Sequence, residues 1–292
     1  MSYSIFTDTS ANLPTPYTKE HGIGVIPLSY IVDGQEHTCL DTEAFQPEEY
    51  YASLKAGKRI TTSQINPQKY VEAMEPALKE GNDILFVGMS SGISGSFHSA
   101  ELAGEQLLET YEDRKIRMVD SLGASLGEGL LVFEAVCCRD KGMSLQETAD
   151  HLNEMKLHVY QLFTVDDLMF LRRGGRLSNA SALVGTVLNV KPLLKGNENG
   201  KIVTFEKVRG RKKVMEQIAG RYDLLVRNAS SQTVCISHGG CREDAEQMAR
   251  MIGRNNPPKD ILIVDHEPVT GSYLGPGALC VYFQGDRDIR TK

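Results

Sequence analysis

Asp83-Ile-Leu-Phe-Val-Gly-Met-Ser-Ser-Gly-Ile-Ser-Gly-Ser-Phe97 is the stretch around which the 292-residue chain is organised. Residues 84–89 are a short apolar run of β-formers, which reads as a buried strand. Residues 90–96 are serine and glycine only, apart from Ile93, and residues 97–111 are an Ala-, Glu- and Leu-rich helix. A strand, a hydroxyl-rich loop and a helix start together make an anion site. Free backbone N–H groups point outward, the dipole end favours negative charge, and the glycines allow close approach. The acidic group of a ligand is expected there.

Working outward, the first half alternates strand and helix. Strands are predicted at residues 4–7, 23–32 and 116–119, and helices at 15–21, 47–56, 66–80 and 128–141. Asn66-Pro67 reads as an N-cap with Pro at N1, and Ser144-Leu-Gln-Glu147 as a capping box. The segment Arg59-Ile-Thr-Thr-Ser-Gln64 reads as a polar loop. This alternation predicts an α/β fold with a doubly wound, mostly parallel sheet, in which ligands bind beyond the carboxyl ends of the strands. Hydroxyls gather at those ends: Thr9 and Ser10, then Ser90, Ser91 and Ser94, then Ser121, with Thr61-Thr62-Ser63 able to join them.

Beyond about Met155 the texture changes. A strand at 158–165, a hairpin across residues 188–208, strands at 233–238, 261–265 and 279–283, and helices at 211–226 and 242–254 predict a second α/β domain with a mixed, partly antiparallel sheet. Residues 270–277 read as a Gly/Pro loop. The expected division is therefore 1–156, a Rossmann-like domain carrying the hydroxyl-rich loops, and 157–292, a second α/β domain.

Composition bounds the function. Hydrophobic content of 41% with 24% charge is ordinary globular usage, and a net charge of −6 gives no footprint for nucleic acid. No apolar run approaches the roughly 20 residues of a spanning helix, and the start of the chain lacks a signal-peptide pattern, so a cytoplasmic protein is expected. The six cysteines form no C-x-x-C pair and the seven histidines no H-x-x-x-H spacing, which predicts reduced, mostly buried thiols and no metal centre or cofactor.

Gly88-Met-Ser-Ser-Gly92 fits the G-x-S-x-G nucleophile elbow with Ser90 as nucleophile. The elbow needs its helix at once, whereas Gly92-Ile-Ser-Gly-Ser96 keeps the chain in a loop, and the adjacent Asp265 and His266 cannot easily serve as orienter and base. A serine hydrolase remains the alternative, as does a binder of another small organic acid. Asp8 and Asp120 are read as orienting nearby hydroxyls and not as an acid–base pair. Of two basic clusters, one holds Arg172, Arg173 and Arg176. The other, Arg209 with Arg211-Lys212-Lys213, is either a solvated face or a site that docks an acidic partner or stabilises a phosphate, with Arg209 and Arg211 foremost.

Taken together, Asp8-Thr-Ser10, Thr62-Ser-Gln64, Ser90-Ser-Gly-Ile-Ser-Gly-Ser96, Asp120-Ser121, Asp167-Leu-Met-Phe-Leu-Arg-Arg-Gly-Gly-Arg-Leu-Ser178, Asn189-Val-Lys-Pro192 and Gly275-Pro-Gly277 resemble the DegV family, in family order along the whole chain. The resemblance implies a two-domain bacterial fatty-acid-binding protein with the acyl chain buried between its domains. It implies that Thr62 and Ser94 hold the carboxylate, with Ser63, Gly95 and Tyr273 nearby. It also implies a carrier, not a catalyst, that presents the fatty acid to a kinase subunit for acyl-phosphate formation in phospholipid metabolism, with peripheral membrane contact for lipid exchange. The chain departs from the family at Tyr273, where a histidine is common; a phenol donates a hydrogen bond but carries no positive charge near neutral pH. Hydroxyls and N–H groups without a cation in the loop suit one carboxylate and not a polyphosphate. An acyl tail contributes about 0.8 kcal/mol per buried methylene, on the order of ten kcal/mol before binding costs. Residues 130–133, 182–184 and Leu188 are candidate tunnel lining.

Overall fold

In the computed structural model, which describes residues 3–178, 189–285 and 290, close contacts divide the chain into two units. Unit 1 comprises Met1–Phe45 and Ile60–Lys156, and unit 2 comprises Gln46–Arg59 and Leu157–Lys292. The segment 46–59, expected with the first domain, belongs to the second unit. It carries α2 (Pro47–Lys55), whose Tyr50 and Tyr51 hydroxyls donate to the carbonyls of Pro268 and His266 at 2.6 and 2.7 Å. Their rings and hydroxyls are buried there, which fixes α2 to unit 2 through both burial and directed bonds.

Unit 1 opens with β1 (Tyr3–Asp8), α1 (Thr15–Glu20), β2 (Gly24–Ile26), β3 (Ser29–Val32), β4 (Gln35–Thr38) and β5 (Ile60–Ser63). It continues with α3 (Pro67–Lys79), β6 (Asp83–Gly88), α4 (Ser96–Thr110), β7 (Ile116–Asp120), α5 (Leu126–Asp140) and α6 (Leu145–Met155). Its main sheet has the order β2-β1-β6-β7, parallel throughout. Side-chain alternation shows why it is covered on both faces. Phe86 on β6 meets Tyr70 of α3 and Phe97 of α4, whereas Tyr3 and Thr7 on β1, of the opposite parity to Phe6, its partner in register, bond to Thr148 of α6 and Glu128 of α5. The sheet is thus doubly wound, as its near-continuous apolar strands require.

Two local readings change. Residues 23–32 are not one strand: Pro27 interrupts them, because it cannot donate to a ladder. β2 ends in the parallel sheet, and β3 joins an antiparallel three-stranded sheet of order β4-β3-β5. The segment read as a polar loop is its edge strand β5, in register with β3 through Thr62 opposite Tyr30. The Asn66 cap and the Ser144 capping box form as expected.

Unit 2 continues with β8 (Val159–Thr164), α7 (Met169–Arg173), β9 (Val190–Gly196), β10 (Ile202–Arg209), α8 (Arg211–Leu225) and β11 (Thr233–His238). It closes with α9 (Arg242–Ile252), β12 (Asp260–Asp265), α10 (Pro268–Leu274) and β13 (Leu279–Gln284). Its sheet, β10-β9-β8-β13-β11-β12, is mixed: only β11 and β12 run parallel. Leu279, Val281 and Phe283 of β13 join Val214, Ile218 and Met248 in one buried core with α8 and α9. The Gly/Pro segment read as a loop begins as helix α10, started by Pro268 and capped by Glu267, whose carboxylate accepts from the Val269 and Thr270 amides.

Candidate functional site

In unit 1 the loops after β1, β6 and β7 meet at the carboxyl ends of the parallel strands. Asp8, buried at the end of β1, accepts from the Ser10 amide at 2.8 Å and the Met89 amide at 3.2 Å, which ties the first loop to the second. Burial raises its pKa above the ordinary carboxylate value, and the hydrogen bonds only partly oppose that. Asp120 accepts from Ser91 Oγ at 2.6 Å and from the Leu122 amide at 2.9 Å, which ties the second loop to the third. Both aspartates orient loop groups, as their positions suggested.

Ser90 is fully buried. Its Oγ accepts from the Gly92 amide at 3.1 Å, its carbonyl from the Ile93 and Ser94 amides, and its own amide donates to Gly123. It is a turn-forming residue without the outward exposure that an elbow nucleophile has. In unit 2 the histidine and aspartate proposed to assist it have near partners of their own. His266 Nδ1 lies 2.7 Å from Ser237 Oγ, and Asp265 lies 3.2 Å from His238 Nδ1. Burial works against that second pair from both sides, lowering the His238 pKa and raising that of Asp265.

Ser94 is half-buried at the start of α4. Its Oγ accepts from the Ser96 amide at 3.2 Å and donates to Ser96 Oγ at 3.0 Å. Ser96 Oγ also accepts from the Ile65 amide at 3.3 Å, so this serine links the loop to the strand segment carrying Thr62 and Ser63. A second link is steric: a Cβ on Gly95 would collide with the Gln64 carboxamide, which only glycine permits to sit so close. Thr62 is half-buried on β5, and Ser63 and Gly95 are exposed. The first turn of α4 carries no acidic residue, which leaves its positive dipole end unneutralised. Thr62, Ser63, Ser94 and Gly95 therefore belong to one connected structure within unit 1.

Tyr273 lies on α10 in unit 2, where the Arg-Gly-Gly-Arg motif packs against the Gly-Pro-Gly motif. Gly174 sits against the Tyr273 ring, the Arg176 guanidinium lies 4.6 Å from its centroid, and Gly275 and Gly277 sit against the Phe170 ring and the Asp166 carboxylate. These contacts give the two motifs a shared packing reason. Arg211 bonds Asp244 at 2.8 Å and lies 3.7 Å from Asp166, so its charge is largely engaged within unit 2, while Arg209 is exposed.

Sequence reasoning missed Glu128. It is fully buried on α5, accepting from Thr7 Oγ1 at 2.8 Å and from Ser10 Oγ beneath the loops. The available signal was an acidic residue within the apolar first two turns of a helix. Of the candidate lining, Leu130, Leu131 and Val132 are buried and Phe133 packs edge-on to Tyr17, whereas 182–184 and Leu188 fall outside the described residues. No helix among the described residues is long and apolar enough to cross a membrane.

Residues 2–286 match a family model described as an uncharacterised protein of the DegV family. A DegV domain-containing protein of Clostridium perfringens (strain 13 / Type A) is 39% identical over 284 residues, covering 97% of this chain and 98% of the relative. Among solved structures, a DegV family protein from Thermus thermophilus, described by its fatty-acid binding, superposes with a TM-score of 0.89 at 27% identity, covering 98% of this chain and 100% of that one. DegV of Bacillus subtilis, described as a fatty-acid-binding protein, does so with a TM-score of 0.83 at 30% identity, again covering 98% and 100%.

Proposed function

The chain belongs to the DegV family, and on that premise we propose that it binds a long-chain fatty acid whose carboxylate is held by Thr62 and Ser94. The observation that carries this reading is the linkage of the Thr-Ser-Gln strand to the Ser-Gly loop through Ser96 Oγ and through Gln64 against Gly95. Two half-buried hydroxyls are held on one connected frame, next to a helix start that favours negative charge.

Binding needs little rearrangement. The Ser94 hydroxyl turns its hydrogen from Ser96 Oγ to the carboxylate while still accepting from the Ser96 amide, and that amide polarises it further. Thr62 gives the second hydroxyl, and Ser63 and the Gly95 backbone are secondary contributors. With no lysine or arginine in the 90–96 loop, neutral donors carry the recognition, which suits a single carboxylate. The chain acts as a cytoplasmic carrier, presenting the carboxylate to a fatty acid kinase subunit, with Arg209 the more available of the two docking arginines.

Uptake of a labelled long-chain fatty acid by delipidated protein tests the head-group assignment. Thr62→Val with Ser94→Ala is expected to lower affinity by about 100-fold or more, the loss of two hydrogen bonds to a charged group, with unchanged circular dichroism. Unchanged affinity would place the head group elsewhere.

A further inference from the structure

Helices α5 and α6 pack side by side in unit 1, and at one point their facing side chains are all metal-donor types. Glu134 and Cys138 stand four residues apart on α5, so they share a face. His151 of α6 reaches them: its Nε2 lies 2.9 Å from Glu134 Oε1, and Cys138 Sγ lies 3.8 Å from the same oxygen. One donor atom from each residue lies within 4.8 Å of the other two. Cys138 is buried, while the Glu134 and His151 side chains keep 26% and 42% of their exposure, so the cluster is closed on one side and open to water on the other.

An interhelical His–Glu pair alone accounts for two of these residues. Cys138, one turn along α5 from Glu134 and buried, adds a thiol against the same carboxylate oxygen. We propose that Glu134, Cys138 and His151 form a Zn²⁺ site that pins α5 to α6, with water in the fourth position. Thiolate, imidazole and carboxylate are the ligand types zinc takes, at bond lengths of about 2.0–2.3 Å, which set tetrahedral ligand atoms roughly 3.3–3.8 Å apart. The separations of 2.9 and 3.8 Å bracket that spacing and the third lies within 4.8 Å, a difference on the scale of side-chain rotation. One thiolate and one carboxylate neutralise the ion, and the sulfur ligand selects against Mg²⁺ and Ca²⁺. Histidine and cysteine spacing along the sequence hides the site because the third ligand comes from the neighbouring helix.

The test uses the full chain, stripped with EDTA and kept reduced with a phosphine. Zn²⁺ is titrated against a chromophoric chelator, and Co²⁺ serves as a spectroscopic probe. The expected result is one Zn²⁺ per chain and a sulfur-to-cobalt charge-transfer band. Cys138→Ser should abolish the band, and His151→Gln, at a partly exposed position, should weaken Zn²⁺ binding roughly tenfold or more with the fold retained. Cys137→Ser, at the exposed neighbour, should change neither. Failure to bind Zn²⁺ at micromolar concentration, or binding that survives both Cys138→Ser and His151→Gln unchanged, overturns the proposal.

Discussion

Glu128 and Asp8 are two carboxylates buried beneath the loops, and Ser10 serves both: its amide donates to Asp8 and its hydroxyl to Glu128. Hydrogen bonds to a buried carboxyl group are costly to break, since each hydroxyl left behind loses its partner as well. Glu128→Ala is therefore expected to destabilise the fold by about 2–4 kcal/mol in urea unfolding, and the cost should not add to that of Ser10→Ala, because one bond is counted in both. Additive costs would mean the two residues do not share the bond. Individual roles were unevenly legible in the sequence. Glycine-serine composition located the 90–96 loop, and the missing immediate helix spoke against Ser90 as a nucleophile. Glu128 escaped because a charge in a helix's first turn ordinarily faces solvent, and only tertiary packing turns it inward.

Strands and helices that are long and periodic were legible; the exceptions have specific causes. Ile60–Ser63 reads as polar because its residues sit on an edge strand with little buried surface, so no apolar alternation marks it. Residues 270–277 read as a loop from their glycine and proline content, yet the first of them lie on a helix that Pro268 starts and Glu267 caps. That helix follows a buried titratable site at the ends of β11 and β12. His266 is fully buried, and burial first, then the neighbouring His238, pushes its pKa down to about 3. Between that value and about 6.5 the unfolded chain binds a proton there that the folded one does not. The stability due to neutral His266 is present above about pH 6.5 and is lost as pH falls toward 3, by about 1.4 kcal/mol per pH unit at most. Chemical unfolding at stepped pH should show His266→Asn with a shallower decline across that window; equal slopes would mean that His266 does not carry the effect.

For the molecule as a whole, fold class followed from the sequence because hydrophobic periodicity reports element type, and βα alternation reports a parallel sheet. Unit 1 ends at Lys156 and unit 2 resumes at Leu157, where the texture of the sequence changes. The excursion of residues 46–59 into unit 2 was not legible, since it depends on Tyr50 and Tyr51 finding carbonyl partners more than 200 residues away. The proposed head-group frame in unit 1 provides only the polar end of a ligand that is mostly apolar. Most of the binding free energy must come from the tail, so the ligand should survive purification. Native mass spectrometry of the purified chain, followed by solvent extraction, tests this most directly. The expected result is a one-to-one complex whose extra mass matches a long-chain fatty acid, or uptake of one such chain on incubation; a protein that carries none and takes up none contradicts the account.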